Sequence, residues 1–278
     1  DLSLELRNNY VNIYYRGGNL LKLEEEKERI YKPFFDVNYI SRKENFLMGL
    51  PQEIRITEDA KAWAEKIPLL KSEMDGWFSR NTKLEREFQQ MVVWENNNSC
   101  IANSTDYFII DIEYDNKRGA RFDMVAVQWN SDMQARKLQS GYKPRLCFIE
   151  MKYGDSALSG KSGMVDHVSQ WHSYLSIERN REVIEAEMLG LFQQKRDLGL
   201  IKGLEDNPNK VKRFDDKIDC IFLLANHDPG KSGLLNVIKE LEKIKISGFA
   251  VKFCVSNFMG YGLYKENVFT VEEFLNRY

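Results

Sequence analysis

RLCFIEMK, residues 145–152, decides how this chain is read. An apolar run of this kind has the composition of a core β-strand, yet it closes on Glu150-Met151-Lys152. Two charged groups buried at the end of a core strand cost several kcal/mol unless they are paired or bind an ion. Residues two apart on a strand share a face, so Glu150 and Lys152 project together. The bare pattern of an acid, any residue and Lys also occurs at Glu25, Asp59, Asp115 and Asp215, so it is the setting that carries information.

Immediately upstream lie YFIIDIEY (107–114) and ARFDMVAVQW (120–129), separated by the turn-like Asp115-Asn116-Lys117-Arg118-Gly119. An antiparallel three-stranded meander is the simplest way to join these runs to RLCFIEMK. Asp123 interrupts the middle run, and a hairpin would bring it beside Glu150. Two carboxylates and one ammonium would then meet. Facing carboxylates repel unless a cation lies between them, and such oxygen ligands suit Mg²⁺ or Mn²⁺. Lys152 would orient or deprotonate a metal-bound water, and phosphodiester hydrolysis is the matching reaction.

Farther out, 165–175 and 178–193 read as helices, and the polar span 195–217, with Asn207-Pro208-Asn209, as an excursion or loop. IDCIFLLAN (218–226), an amphipathic helix over 234–244 and FAVKFCVSN (249–257) form a strand-helix-strand crossover, which implies parallel pairing. Upstream, KLEREFQQMVVWENN (83–97) sets Leu84, Phe88, Met91 and Val92 on one helical stripe. The first eighty residues read as a separate unit. LSLELRNNYVNIYYRGGNLLKL forms a hairpin turning at Arg16-Gly17-Gly18-Asn19, YKPFFDVNYI is a further strand candidate, and a helix begins at Thr57 that Pro68 should stop or kink. The expected class is α/β with a central mixed sheet flanked by helices. An appendage of hairpin and helix over 1–80 would precede the main domain at 81–278.

A helix bearing an acid, a strand with Asp, a strand ending in Glu-x-Lys and a following helix with Gln170-Trp171-His172-Ser173-Tyr174 together resemble the PD-(D/E)xK nuclease superfamily. The last motif is similar to the Gln-x-x-x-Tyr of RecB-like nucleases, and residues four apart share a helix face. The resemblance spans roughly 82–257 and implies a restriction-endonuclease-like fold. It further implies a Mg²⁺- or Mn²⁺-dependent deoxyribonuclease acting in DNA repair, restriction or defence. By position, Asp123 and Glu150 would hold the metal and Lys152 would assist the water. Gln170 and Tyr174 would arrange the site and the DNA end. Glu85, or alternatively Glu87, would complete the metal set. Phe122 stands where the family name has Pro. DNA is the implied partner, and a homodimer is compatible with double-strand cleavage by two sites. The alternative is a weak or inactive nucleic-acid-binding or interaction module of the same fold.

Composition bounds these readings. With 278 residues, 43% hydrophobic and 29% charged, the chain is long enough for an enlarged core and unlike a disordered one. Its 40 basic and 42 acidic residues create no global field for a polyanion, so nucleic-acid contact must be local. Four cysteines without Cys-x-x-Cys spacing and three histidines are poor material for zinc, and buried free thiols explain the cysteines better. No apolar run approaches the ~20 residues of a membrane helix, and DLSLELRNNY lacks the build of a secretory signal, so a cytoplasmic location is the default expectation.

Further features have two readings each. Arg136, Lys137, Lys143 and Tyr142 in the 130–144 loop could touch phosphate and bases, or form a solvated loop. Ser159-Gly160-Lys161-Ser162-Gly163 could cradle a phosphate or be a plain turn. Asp111 is a further acid inside an apolar run. Ala225-Asn226-His227-Asp228-Pro229-Gly230-Lys231-Ser232 mimics a phosphate-binding loop, but Pro229 lacks an amide and the next strand ends without a metal-holding acid. Asp123 and Glu150 could also be ordinary ion-paired groups.

Overall fold

The computed structural model describes residues 1–7, 9–40, 47–115, 119, 121–138, 142–204, 210–225, 233–256, 263 and 268–277. The chain divides into two compact units, Asp1–Gln90 and Met91–Tyr278, with the division falling inside one helix.

In the first unit four strands form an antiparallel sheet in sequence order: β1 (Leu2–Leu6), β2 (Tyr10–Tyr15), β3 (Gly18–Lys27) and β4 (Ile30–Phe34). Tyr15 pairs with Gly18, so the β2–β3 turn is only Arg16-Gly17, both at positive φ (50° and 73°). That is the tight turn whose twist matches paired strands. Gly18 and Asn19, expected in the turn, belong to β3. Gly18 is small for a packing reason, since a Cβ there would stand 2.7 Å from Met74 Cε and 3.0 Å from Phe78 Cζ. Both neighbours lie on α1 (Thr57–Phe78), which buries Trp63, Leu70, Met74 and Phe78. Pro68 does not stop α1, which runs on through it. The proline forfeits one backbone bond, and burial of the apolar stripe on both sides of it outweighs that loss.

The second helix, α2 (Leu84–Asn97), buries Phe88, Val92 and Val93 and exposes Leu84 and Met91, so its apolar stripe is rotated from the expected one. Past the division, Asn97 exchanges hydrogen bonds with the backbone of Ile109, at 2.8 and 2.9 Å.

The second unit is built on a six-stranded mixed sheet. Its strands are β5 (Tyr107–Asp115), β6 (Arg121–Gln128), β7 (Arg145–Tyr153), β8 (Asp219–Ala225), β9 (Ala250–Ser256) and β10 (Val268–Thr270). Their order is β10-β9-β8-β7-β6-β5. The β5-β6-β7 meander is antiparallel, β7-β8-β9 are parallel, and β10 closes the edge antiparallel to β9. Every residue of β8 is buried, as a continuous apolar run at the sheet centre requires.

Among the helices of this unit, α3 (Met133–Arg136) is a single turn. α4 (Met164–Leu175) and α5 (Glu178–Asp197) lie between β7 and β8 in the chain, α6 (Leu234–Leu241) makes the β8–β9 crossover, and α7 (Val271–Arg277) ends the described residues. Trp171 of α4 sits 4.8 Å, ring to ring, from Phe222 of β8, which fixes α4 over that face. Glu150 pairs with Phe222 across the parallel ladder and therefore shares this face. Cys147, Cys220 and Cys254 are free and buried, and Cys100 is free and exposed. Among the described residues no helix is long and apolar enough to cross a membrane.

Candidate functional site

Glu150 and Lys152 are each about 5% exposed near the end of β7, and their side chains meet as the alternation of a strand requires. Lys152 Nζ donates to Glu150 Oε1 at 2.9 Å and to the carbonyl of Ser162 at 3.1 Å. His167, in the first turns of α4, places Nε2 at 2.9 Å from that same Oε1. Burial pushes the Glu150 carboxyl up. The hydrogen bond from His167 and the charge of Lys152 outweigh it, and the group is held below the ordinary carboxylate value. The charges at this strand end are therefore matched against each other inside the protein.

Asp123 reaches the stretch of β7 that carries Glu150. The β6–β7 ladder ends at Met124 paired with Ile149. Beyond it the hairpin is irregular, with Glu113 at φ 51°. Phe122 stacks on Phe148 at 4.2 Å and reaches Trp171 of α4 at 6.5 Å. The Asp123 carboxylate lies against the backbone of β7. Its Oδ2 accepts from the amide of Met151 at 2.8 Å. Glu85, half-buried in the first turn of α2, belongs to the N-terminal unit. Glu87 is ion-paired to Arg16 at 3.0 Å.

This arrangement corrects the expected metal site. Among the described residues no group of three or more His, Cys, Asp or Glu side chains is gathered that could hold a metal ion. The expectation of Mg²⁺ or Mn²⁺ on Glu85, Asp123 and Glu150, and with it the metal-dependent deoxyribonuclease, is overturned. The physical reason is local. A divalent ion at Glu150 Oε1 would face an ammonium and an imidazole N–H already bonded there.

Gln170 and Tyr174 do share a face of α4, the first exposed and the second buried. Both line a cleft of about 410 Å³ together with Gly119, Ser169, Ser173, Ile177 and Asn180.

Sequence reasoning passed over His167. Its signal was positional, since it precedes Trp171 by four residues on a helix whose Trp171 and Tyr174 are core, so it shares their inward side. The Ser162 carbonyl carries no signature in sequence. It is presented to Lys152 by a left-handed residue (φ 66°) whose amide donates to Asp166 Oδ2 at 3.1 Å.

The other candidates resolve into structure. Arg136 lies over the Trp129 ring at 4.5 Å and donates to the carbonyl of Thr105, and burial pulls its guanidinium below the ordinary value. Tyr142 accepts from the amide of Asn130 at 3.0 Å, so neither is presented to a nucleic acid as a loose loop would present it. Lys137 is exposed and Lys143 half-buried. Asp111 is fully buried at a bulge in β5 and accepts from the amide of Ile112 at 2.9 Å. Residues 116–118 of the expected β5–β6 turn, 207–209, and 226–232 of the phosphate-loop mimic lie outside the described residues.

Comparison with known protein families, with curated proteins and with solved structures returned no match.

Proposed function

We propose that this chain is a DNA-binding module on a restriction-endonuclease-like core of the PD-(D/E)xK type, in which the acid-and-lysine cluster has become a buried ion network and no phosphodiester is cut. The resemblance rests on an antiparallel meander, a strand ending in Glu150-x-Lys152, a helix carrying Gln170 and Tyr174, and parallel strands after it. One observation carries the loss of cleavage: Lys152 and His167 both bond the same oxygen of Glu150, each at 2.9 Å. A carboxylate so engaged holds the end of β7 to the start of α4. In doing so it fixes the helix whose outer side bears Gln170 and the cleft.

Fluorescence anisotropy with labelled single-stranded and duplex DNA, in EDTA and again in Mg²⁺, tests this reading. The expected result is salt-sensitive binding that does not need the metal, with the DNA recovered intact. Absence of binding at low salt would refute the module, and cleavage abolished by Glu150→Ala would refute its inactivity.

A further inference from the structure

We infer that the cleft over the second half of α4 takes a single unstacked nucleobase, a flat and uncharged heterocycle. This rests on the reading of the chain as a DNA-binding module. The argument begins with charge. Ser169, Gln170, Ser173, Tyr174, Ile177 and Asn180, the lining residues on and just after α4, are uncharged. What the cleft offers is neutral hydrogen bonding. Ser169 Oγ donates to the carbonyl of Val165 and Ser173 Oγ to that of Ser169, each at 2.9 Å, so both hydroxyls turn lone pairs outward as acceptors. Asn180 donates through Nδ2 to the carbonyl of Tyr174 at 3.0 Å, and its Oδ1 is a further acceptor.

Gln170 supplies both a donor pair and an acceptor in one plane, the pattern that matches the edge of a base. Ile177, 51% exposed at the rim, adds an apolar surface on which a base face can rest. The volume of about 410 Å³ lies in the range of small-ligand clefts, roughly 300 to 1,000 Å³. Unstacked bases with their edges free occur in single strands, so a single strand is the form that can fill the cleft.

The test uses a short labelled thymidine strand and the same strand with every base removed, measured by anisotropy against the whole protein and Gln170→Ala. Gln170 is exposed, and circular dichroism checks that the variant keeps its fold. An Ile177→Ser variant gives a second, uncharged perturbation at another lining residue. The expected result is that removing the bases weakens binding about tenfold, and that either substitution weakens the base-bearing strand while leaving the abasic one unchanged. Equal binding of the two strands, or equal weakening of both by Gln170→Ala, would overturn the base subsite and leave the DNA-binding module standing. If neither strand binds at low salt, the module falls and the subsite with it.

Discussion

Lys152 and His167 converge on one oxygen of Glu150 in a place where water is scarce, so the three groups depend on one another. Removing one partner from a buried ion pair leaves a charge uncompensated, and that typically costs about 3 to 5 kcal/mol. Lys152→Met is therefore expected to lower unfolding stability by about that amount in urea titrations. A lysine kept only to serve a bound metal and water would be removable at little or no cost to stability, so unchanged stability in Lys152→Met would contradict the network. The pH dependence follows from the depressed Glu150 carboxyl. A group whose folded pKa lies below its unfolded value contributes stability that is complete above the unfolded value, here 4.5, and is lost as pH falls through the folded one. The stability difference between the wild type and Glu150→Gln should thus be flat above about pH 5 and shrink below pH 4.5. A difference that grows on acidification would show the sign to be wrong.

At the scale of elements, the runs that alternate or stay apolar were legible because periodicity reports burial directly. The three strands of the meander and the β8-α6-β9 crossover form where the pattern places them. What escaped was decided by contacts distant in sequence. Of the two outcomes expected at Pro68, a stop or a kink, the stop does not occur, because the stripe of Trp63, Leu70, Met74 and Phe78 packs on both sides of it. Pro68→Ala restores a backbone donor in the helix interior and is expected to raise stability by about 1 to 3 kcal/mol. A loss of stability would mean that the proline is needed where it stands. Gly18 read as a turn residue and is a packing residue, so Gly18→Ala should cost about 1 to 3 kcal/mol, by thermal or urea unfolding, through the clash with Met74 and Phe78. The site was legible as a set of residues, Glu150 with Lys152 and Gln170 with Tyr174, because spacing alone sets which side chains share a face. The partner of the Asp123 carboxylate was not, because it is the Met151 amide, a backbone group without a signature in sequence.

For the whole molecule, 40 basic against 42 acidic residues mean that binding to DNA cannot draw on a general field. The salt dependence of binding is accordingly expected to be shallow, with a slope of log affinity on log salt of only about −1 to −3. A slope as steep as that of an extended basic surface would place the DNA elsewhere than at the neutral cleft. The central claim is that Glu150 is already occupied by the protein's own Lys152 and His167, and Mn²⁺ titration followed by electron paramagnetic resonance tests it most directly. The free-ion signal should rise in proportion to added Mn²⁺, equally for wild type and Glu150→Gln. Stoichiometric loss of that signal in the wild type, abolished in Glu150→Gln, would contradict the account.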